Sequence, residues 1–258
     1  MHNELTAEAV TKGLETRFIG QRVLYYPSVG STVAMAKDEA LAGAAEGTVI
    51  IADEQTVGRG RLDRRWVSPP GCIALSLVLY LRASQLTSLM MVASLAVTNT
   101  IQNVTGLKAD IKWPNDVLMD GKKVCGILVE SGQRTDGEPY ADIGIGINVN
   151  VEMADIGPVL KPATSLSDEL GKEVSRLEIV RQLLVEIERL YLLPEEGEEV
   201  YRQWRYNLVT LGQRIRADAG DVVFEGIADD VDEDGQLGII LDDGSLIFLA
   251  AGDVTLQG

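Results

Sequence analysis

Polar and apolar positions along the 258-residue chain alternate in short runs more often than they follow a helical period, so strands should outnumber helices. Arg22 to Tyr26 reads as a short strand, and Pro27-Ser28-Val29-Gly30 as a turn. Ser31 or Thr32 should cap a helix running to about Ala45. Thr48 to Asp53 and Cys72 to Leu81 are the next two strands. Ser84 to Val104 is apolar on most sides and predicts a long helix lying deep against a sheet, with Met90 and Met91 as core filler. A short strand, Asp110 to Trp113, ends at Pro114. Val117 to Asp120 and Val124 to Glu130, joined by a glycine turn, read as a hairpin, and Tyr140 to Val151 as a further strand.

The pattern changes after Asn150. Residues 152–171 are loop-rich, with Pro158 and Pro162. Ser175 to Leu192 repeats apolar residues at helical spacing, Pro194 interrupts, and residues 195–206 form another helix. From about Leu211 onward the chain is strand and turn, with Asp234-Gly235 and Asp243-Gly244 at the turns. The expectation is an α+β fold: a mixed, largely antiparallel sheet with packed helices over residues 1–208, and a small β-barrel over 209–258. Residues 1–18 are a short helical lead-in, too few for a winged helix-turn-helix ahead of the main domain.

Composition narrows the chemistry. The formal net charge is -16, which argues against binding nucleic acid through the whole surface. Against that background, four arginines within seven residues stand out in Gly58-Arg59-Gly60-Arg61-Leu62-Asp63-Arg64-Arg65-Trp66. Interleaved glycines let backbone approach a ligand, and arginine grips carboxylate or phosphate through a planar fork. A loop of solvated surface ion pairs is the plainer reading, but it does not require the glycines. His2 is the only histidine, which removes Ser-His-Asp and Cys-His schemes and any histidine metal site. Cys72 and Cys125 lie in apolar runs and read as core thiols of a reduced, cytoplasmic protein. No 18-residue apolar run suggests a membrane span.

Three further stretches have site character. Lys112-Trp113-Pro114-Asn115-Asp116 puts a lysine at a strand end, a good point charge for phosphate. Gly144 and Gly146 fall on one strand face and leave room for something flat, and Asn148 at the strand end reads as a polar ligand contact. Ser31-Thr32 at a helix N-terminus would border an anion site. Asp229 to Asp234 lacks the twelfth-position glutamate of a calcium loop and reads as a solvated turn.

Together these residues resemble the biotin–protein ligases. The arginine loop is similar to that family's signature loop. Lys112 to Asp116, Gly126-Ile127-Leu128-Val129-Glu130 and Gly144 to Asn148 match its next three motifs in order, over roughly residues 20–258. The resemblance implies attack of biotin's carboxylate on the α-phosphorus of ATP, then transfer from biotinyl-5′-AMP to a lysine of a biotin carboxyl carrier protein of a carboxylase. Carried over by position, Ser31, Thr32, Val33, Gln55, Arg59, Gly60, Arg61, Lys112 and Gly126 would line the biotin pocket. Arg59, Arg61, Arg64, Trp66, Lys112, Asn115 and Asn148 would meet ATP or the adenylate, with Lys112, Arg61 and Arg64 catalytic. Mg²⁺ would arrive with ATP, and no protein metal ligand is assigned. Val33 departs from the family's usual asparagine. The resemblance further implies a ligase without operator binding, in a family whose members of this type are often homodimers. A lipoate–protein ligase or octanoyl transferase is the related alternative, although its histidine-containing motif is missing. A nucleic-acid-binding module using residues 58–65 is the alternative from another class.

Overall fold

The computed structural model describes residues 5–80, 86–156, 162–193, 198–220 and 222–257. His2, the Ser84 start of the long helix, Pro158 and Pro194 lie outside the described residues. A seven-stranded sheet forms the centre, in the order β1-β2-β3-β7-β6-β5-β4. The strands are β1 (Val23–Val29), β2 (Val49–Gln55), β3 (Ile73–Leu79), β4 (Asp110–Lys112), β5 (Asp116–Met119), β6 (Lys122–Gln133) and β7 (Pro139–Ile147). Only β1 and β2 run parallel; the other pairings are antiparallel, and short turns join β4, β5, β6 and β7 in succession. β1 continues through Pro27, where a turn was expected. It is the end strand of the sheet, and an edge tolerates the missing N–H.

The two faces of this sheet differ in character. Ile73, Leu75, Leu77, Ile143, Ile145, Ile147, Cys125 and Ile127 point to one face and are buried in the main core. The helices α3 (Leu86–Thr105) and α5 (Arg176–Tyr191) belong to that layer. The side chain of Glu188 in α5 accepts backbone N–H bonds from Arg17, Phe18 and Ile19 at 2.6–3.0 Å, which fixes the lead-in that follows the short helix α1 (Ala7–Thr11). The opposite face is partly covered by α2 (Thr32–Leu41), through Ala36 and Ala40 over Ile50 and Val78. α2 ends at Leu41, short of the expected Ala45. Residues 152–171 contain a 3₁₀ turn at Met153–Ile156 and the short helix α4 (Leu166–Leu170), which loop-rich composition did not reveal.

The helix α6 (Glu198–Tyr206) leads into a five-stranded antiparallel sheet of β8 (Arg214–Ala219), β9 (Val222–Val231), β10 (Leu237–Leu241), β11 (Leu246–Leu249) and β12 (Asp253–Leu256). The order is β11-β10-β9-β8-β12, with β11 and β12 at opposite ends. The expected barrel is therefore an open sheet. Its inner face needs no closure, because Ile215, Ala217, Ala228, Val231, Leu237, Ile239 and Val254 join the same core as the large sheet. Trp113, 1% exposed, staples the two units: its backbone N–H donates to Thr210 Oγ1 and its indole N–H to the Gly235 carbonyl, both at 2.9 Å. No described helix is long and apolar enough to cross a membrane.

One charged group sits inside the α2 face. Asp142 of β7 is 1% exposed, and its Oδ1 has no hydrogen-bond partner. Burial pushes its carboxyl up to about 7, with Glu130 adding to the rise and Lys37 and Arg59 opposing it. Such a group keeps its proton in the folded state while the unfolded chain, with an ordinary carboxylate near pKa 4, loses it. Stability should therefore fall as pH rises between about 4 and 7 and level off above, at about 1.4 kcal/mol per displaced pKa unit. Asp142→Asn lacks this dependence. Urea unfolding of both proteins should show the stability difference moving in favour of Asp142→Asn from about pH 5 to about pH 8. A pH-independent difference would mean that the carboxyl titrates normally.

Candidate active site

A row of small side chains crosses the α2 face of the large sheet. Strand register aligns Ala52 with Ala74, Ala74 with Gly146, and Gly146 with Gly126. Beside it, Ile50, Ser76, Gly144 and Leu128 form the next row. The first row is a trough, since nothing projects from its floor beyond a methyl group. α2 overhangs one side, and Val33 rests on Gly144. A Cβ at Gly144 would come within 2.5 Å of the Val33 Cγ2.

The arginine loop folds back over the trough. Gln55 N–H donates to Ser68 O, Trp66 N–H to Gly58 O and Gly60 N–H to Arg64 O, at 2.7–3.0 Å. A 3₁₀ turn at Arg61–Asp63 makes the tip, with Leu62 at φ 55. The space expected for something flat is filled by the loop's own Trp66. A Cβ at Gly146 would stand 2.5 Å from the indole Cε2 and Nε1, and one at Gly126 would stand 3.0 Å from its Cζ3. Lys123 Nζ lies 5.3 Å from the ring centroid of Trp66 and pairs with Asp116 at 2.5 Å. The indole N–H is buried without a partner, as is the hydroxyl of Ser31 at the start of α2. Unsatisfied buried polar atoms are costly, and two of them at one trough suit a polar ligand that would pair them.

Gln55 supplies the cap that Ser31 does not. Its Oε1 accepts from Thr32 N–H at 2.8 Å and Thr32 Oγ1 at 3.1 Å, while Ser76 donates to Thr32. Ser31, Thr32, Val33, Gln55 and Gly126 thus gather at the trough.

The cations converge at its other end. Lys112, 7% exposed, ends β4 and donates to the Val254 carbonyl of β12 at 2.5 Å. Arg64 pairs with Asp253 of the same strand at 2.9 Å. Arg61 donates to Asn115 Oδ1 at 3.1 Å, and Asn115 donates onward to the Ile127 carbonyl at 2.8 Å. Burial pulls the Arg61 guanidinium below its usual value, against the attraction of Asp116 and Asp253, while its hydrogen bond to Asp253 raises Arg64. Arg59 reaches Glu130 at 3.3 Å, and Gly60 lies in the loop beside it.

Asn148 lies just past the end of β7, two residues beyond Gly146. It is 4% exposed, and its amide donates to Thr164 O at 3.0 Å. That bond clips the approach to α4 onto β7. Sequence reading also missed Asp253, Val254 and Lys123. The first two come from the small sheet, and no local motif announces them. Lys123 has a signal in hindsight, falling three residues before the glycine that it covers. Among the described residues no group of three or more His, Cys, Asp or Glu side chains could hold a metal ion.

Comparison with known proteins places this arrangement. Residues 25–150 match the model of the Biotin/lipoate A/B protein ligase family, and residues 210–256 that of the biotin protein ligase C-terminal domain. The chain is 35% identical over 240 residues to a bifunctional ligase/repressor of Bacillus subtilis, covering 91% of this chain and 74% of that protein. It is 34% identical to a biotin–[acetyl-CoA-carboxylase] ligase of Mycobacterium tuberculosis, over 87% and 85% of the two chains. A biotin protein ligase from Aquifex aeolicus, solved in complex with biotin and ATP, superposes with a TM-score of 0.77 at 27% identity, covering 92% of this chain and 99% of that one. On these matches the chain belongs to the biotin/lipoate A/B protein ligase family, in its biotin protein ligase branch.

Proposed function

We propose that this chain activates biotin with ATP and transfers it to a lysine of a biotin carboxyl carrier protein. The observation that carries the reading is the convergence of Lys112, Arg61 and Arg64 beside a trough floored by Gly126 and Gly146. Biotin's uncharged ring system suits the end of the trough near Ser31, Thr32, Val33 and Gln55, beside the stretch that Trp66 covers. Its carboxylate then points toward the cations, where Arg59, Gly60 and Arg61 border it.

Both substrates are anions, so their repulsion must be screened before they react. Lys112, Arg61 and Arg64 supply that screening, with Mg²⁺ entering as part of the ATP complex and held mainly by phosphates and water. The carboxylate oxygen bonds to the α-phosphorus, the bond to the β-phosphate bridge breaks, and pyrophosphate leaves. Preplaced cations stabilise the charge developing there. The carrier lysine's neutral amine next attacks the acyl carbon, and AMP departs with the bonding electrons. The amine attacks unprotonated, and the proton that it sheds on amide formation passes to solvent. Trp66, Asn115 and Asn148 are assigned to the nucleotide end, Asn148 through the segment that it pins.

The chemistry and the charge also support a ligase that acts on carrier protein and not on DNA. The net charge of -16 opposes phosphate backbones, and the loop arginines Arg59, Arg61 and Arg64 are engaged with Glu130, Asn115 and Asp253. β1 is the end strand of the large sheet, and pairing of such edges would give the homodimer. Buried Cys72 and Cys125 suit a reducing, cytoplasmic setting. The lipoate alternative has no observation in its favour.

Exchange of labelled pyrophosphate into ATP, with biotin, lipoate and octanoate in parallel, tests the reading. Exchange with biotin alone is expected; exchange with lipoate alone would reassign the substrate. Arg61→Gly should release free biotinyl-adenylate faster by about ten- to a hundredfold, because a charge-assisted hydrogen bond of about 1.5–3 kcal/mol is lost. Chromatography of adenylate formed without carrier checks this, and unchanged retention would remove Arg61 from the role. Lys112→Ala should slow adenylation by on the order of 10²–10³. Thermal melting alongside the assay separates that loss from the broken contact to Val254, and near-normal turnover would strike Lys112 from the catalytic set.

A further inference from the structure

We propose that Asp142 is a positioning residue: with Glu130 it forms a two-carboxyl clasp that holds the Arg59 guanidinium until an anionic substrate draws it away. This inference rests on the ligase reading for its substrate, but the clasp itself rests on geometry.

Glu130 and Asp142 are directly opposed across β6 and β7 and share the α2 face with Gly144. Directly opposed side chains in an antiparallel pair stand close, and like charges there are unfavourable. Asp142 is buried with one oxygen unpartnered, while Glu130, half-buried beside it, already holds Arg59. The clasp is thus incomplete: Asp142 keeps an unpaired oxygen directly across from the carboxylate that holds Arg59. The charged groups facing Asp142 come from each neighbouring element. Glu130 stands on β6, Lys37 on α2 and Arg59 on the loop, and β3 contributes the unionisable Val78. Asp38 of α2 faces the adjacent Tyr140. Lys37 stands on α2, outside the loop that engages ligand. Arg59 sits on the loop, so only its contact changes when the loop engages a ligand.

The consequence is a pH-dependent grip. A neutral Asp142 leaves Glu130 to hold Arg59 alone. An ionised Asp142 adds a second carboxylate to the same guanidinium. Because Arg59 also borders the substrate carboxylate, a tighter grip competes with substrate and leaves the chemical step untouched. The expectation is a KM effect with kcat unchanged.

Trypsin reads the clasp without any substrate, since Arg59, Arg61, Arg64 and Arg65 are its cleavage points in the loop. The full-length protein and Asp142→Asn are digested side by side, so that the protease's own pH dependence cancels, and only fragments cut within residues 59–65 are scored. At about pH 6 the two should be cut at equal rates. At about pH 8 the unaltered protein should be cut about two- to fivefold more slowly, the range of a partly exposed ion pair. Glu130→Gln should speed cleavage at both pH values. A rate ratio that stays constant between the two pH values would overturn the proposal.

In the exchange assay, KM for biotin should rise about two- to fivefold over the same interval in the unaltered protein and stay level in Asp142→Asn. A pH dependence carried by kcat, or one that persists in Asp142→Asn, would sink the competition with substrate. If no acid supports exchange at any pH, the ligase reading fails, and the cleavage ratio still decides whether the clasp exists.

Discussion

The structure depends on what is missing from one row of the sheet. Ala52, Ala74, Gly146 and Gly126 stand in register, and together they leave a floor without side chains. A side chain at Gly146 would strike Trp66, and one at Gly144 would strike Val33. The strands can spare this packing because their other face is dense: isoleucines and leucines of β3 and β7 are buried in the main core with α3, onto which α5 packs. One face stabilises the fold and the other is left for chemistry. The two jobs are separable because strand side chains alternate between faces.

The small sheet has a part in the same arrangement. Its apolar inner face is continuous with the main core. Its end strand β12 offers Val254 O to Lys112 and Asp253 to Arg64, so two of the cations are oriented by a unit more than a hundred residues away in sequence. Trp113, next to Lys112, is held by Thr210 and Gly235. The position of the lysine therefore reports the docking of the small sheet. A loss of that docking would misplace a charge before it unfolded the large sheet.

Much of this was legible because the signals were local. Strand runs, the Pro114 break and the glycine-flanked arginines are short-range features, and their elements fell close to the expected bounds. What escaped was set by register and by long-range packing. The barrel was an inference from strand count, but closure depends on whether an inner face must be covered by its own strands. Asn148 ends a glycine strand, and the bond from its amide to the Thr164 carbonyl is a packing contact that no local pattern announces. The flat space over Gly146 was correctly anticipated as space, but the chain fills it with its own tryptophan. Glu188 and Asp142 gave no signal at all, since a buried carboxyl in a helix or strand looks like a surface one until its neighbours are known.

The loop is held by many weak contacts and no strong one. Arg59 and Arg64 are half exposed in their ion pairs, and such pairs are worth about 0–1 kcal/mol each. Trp66 adds contact area but leaves its N–H unpaired. A loop that must surrender its arginines to an incoming anion cannot hold them in deep, fully satisfied bridges, because the ligand would have to supply the cost of breaking them. It also cannot leave them loose, because four neighbouring cations would repel one another and extend the loop into solvent. Pairing Arg59, Arg61 and Arg64 with three different groups, Glu130 on β6, Asn115 just before β5 and Asp253 on β12, solves both problems. The arginines are ordered at low cost, and anions binding in the trough need only exchange one partner for another.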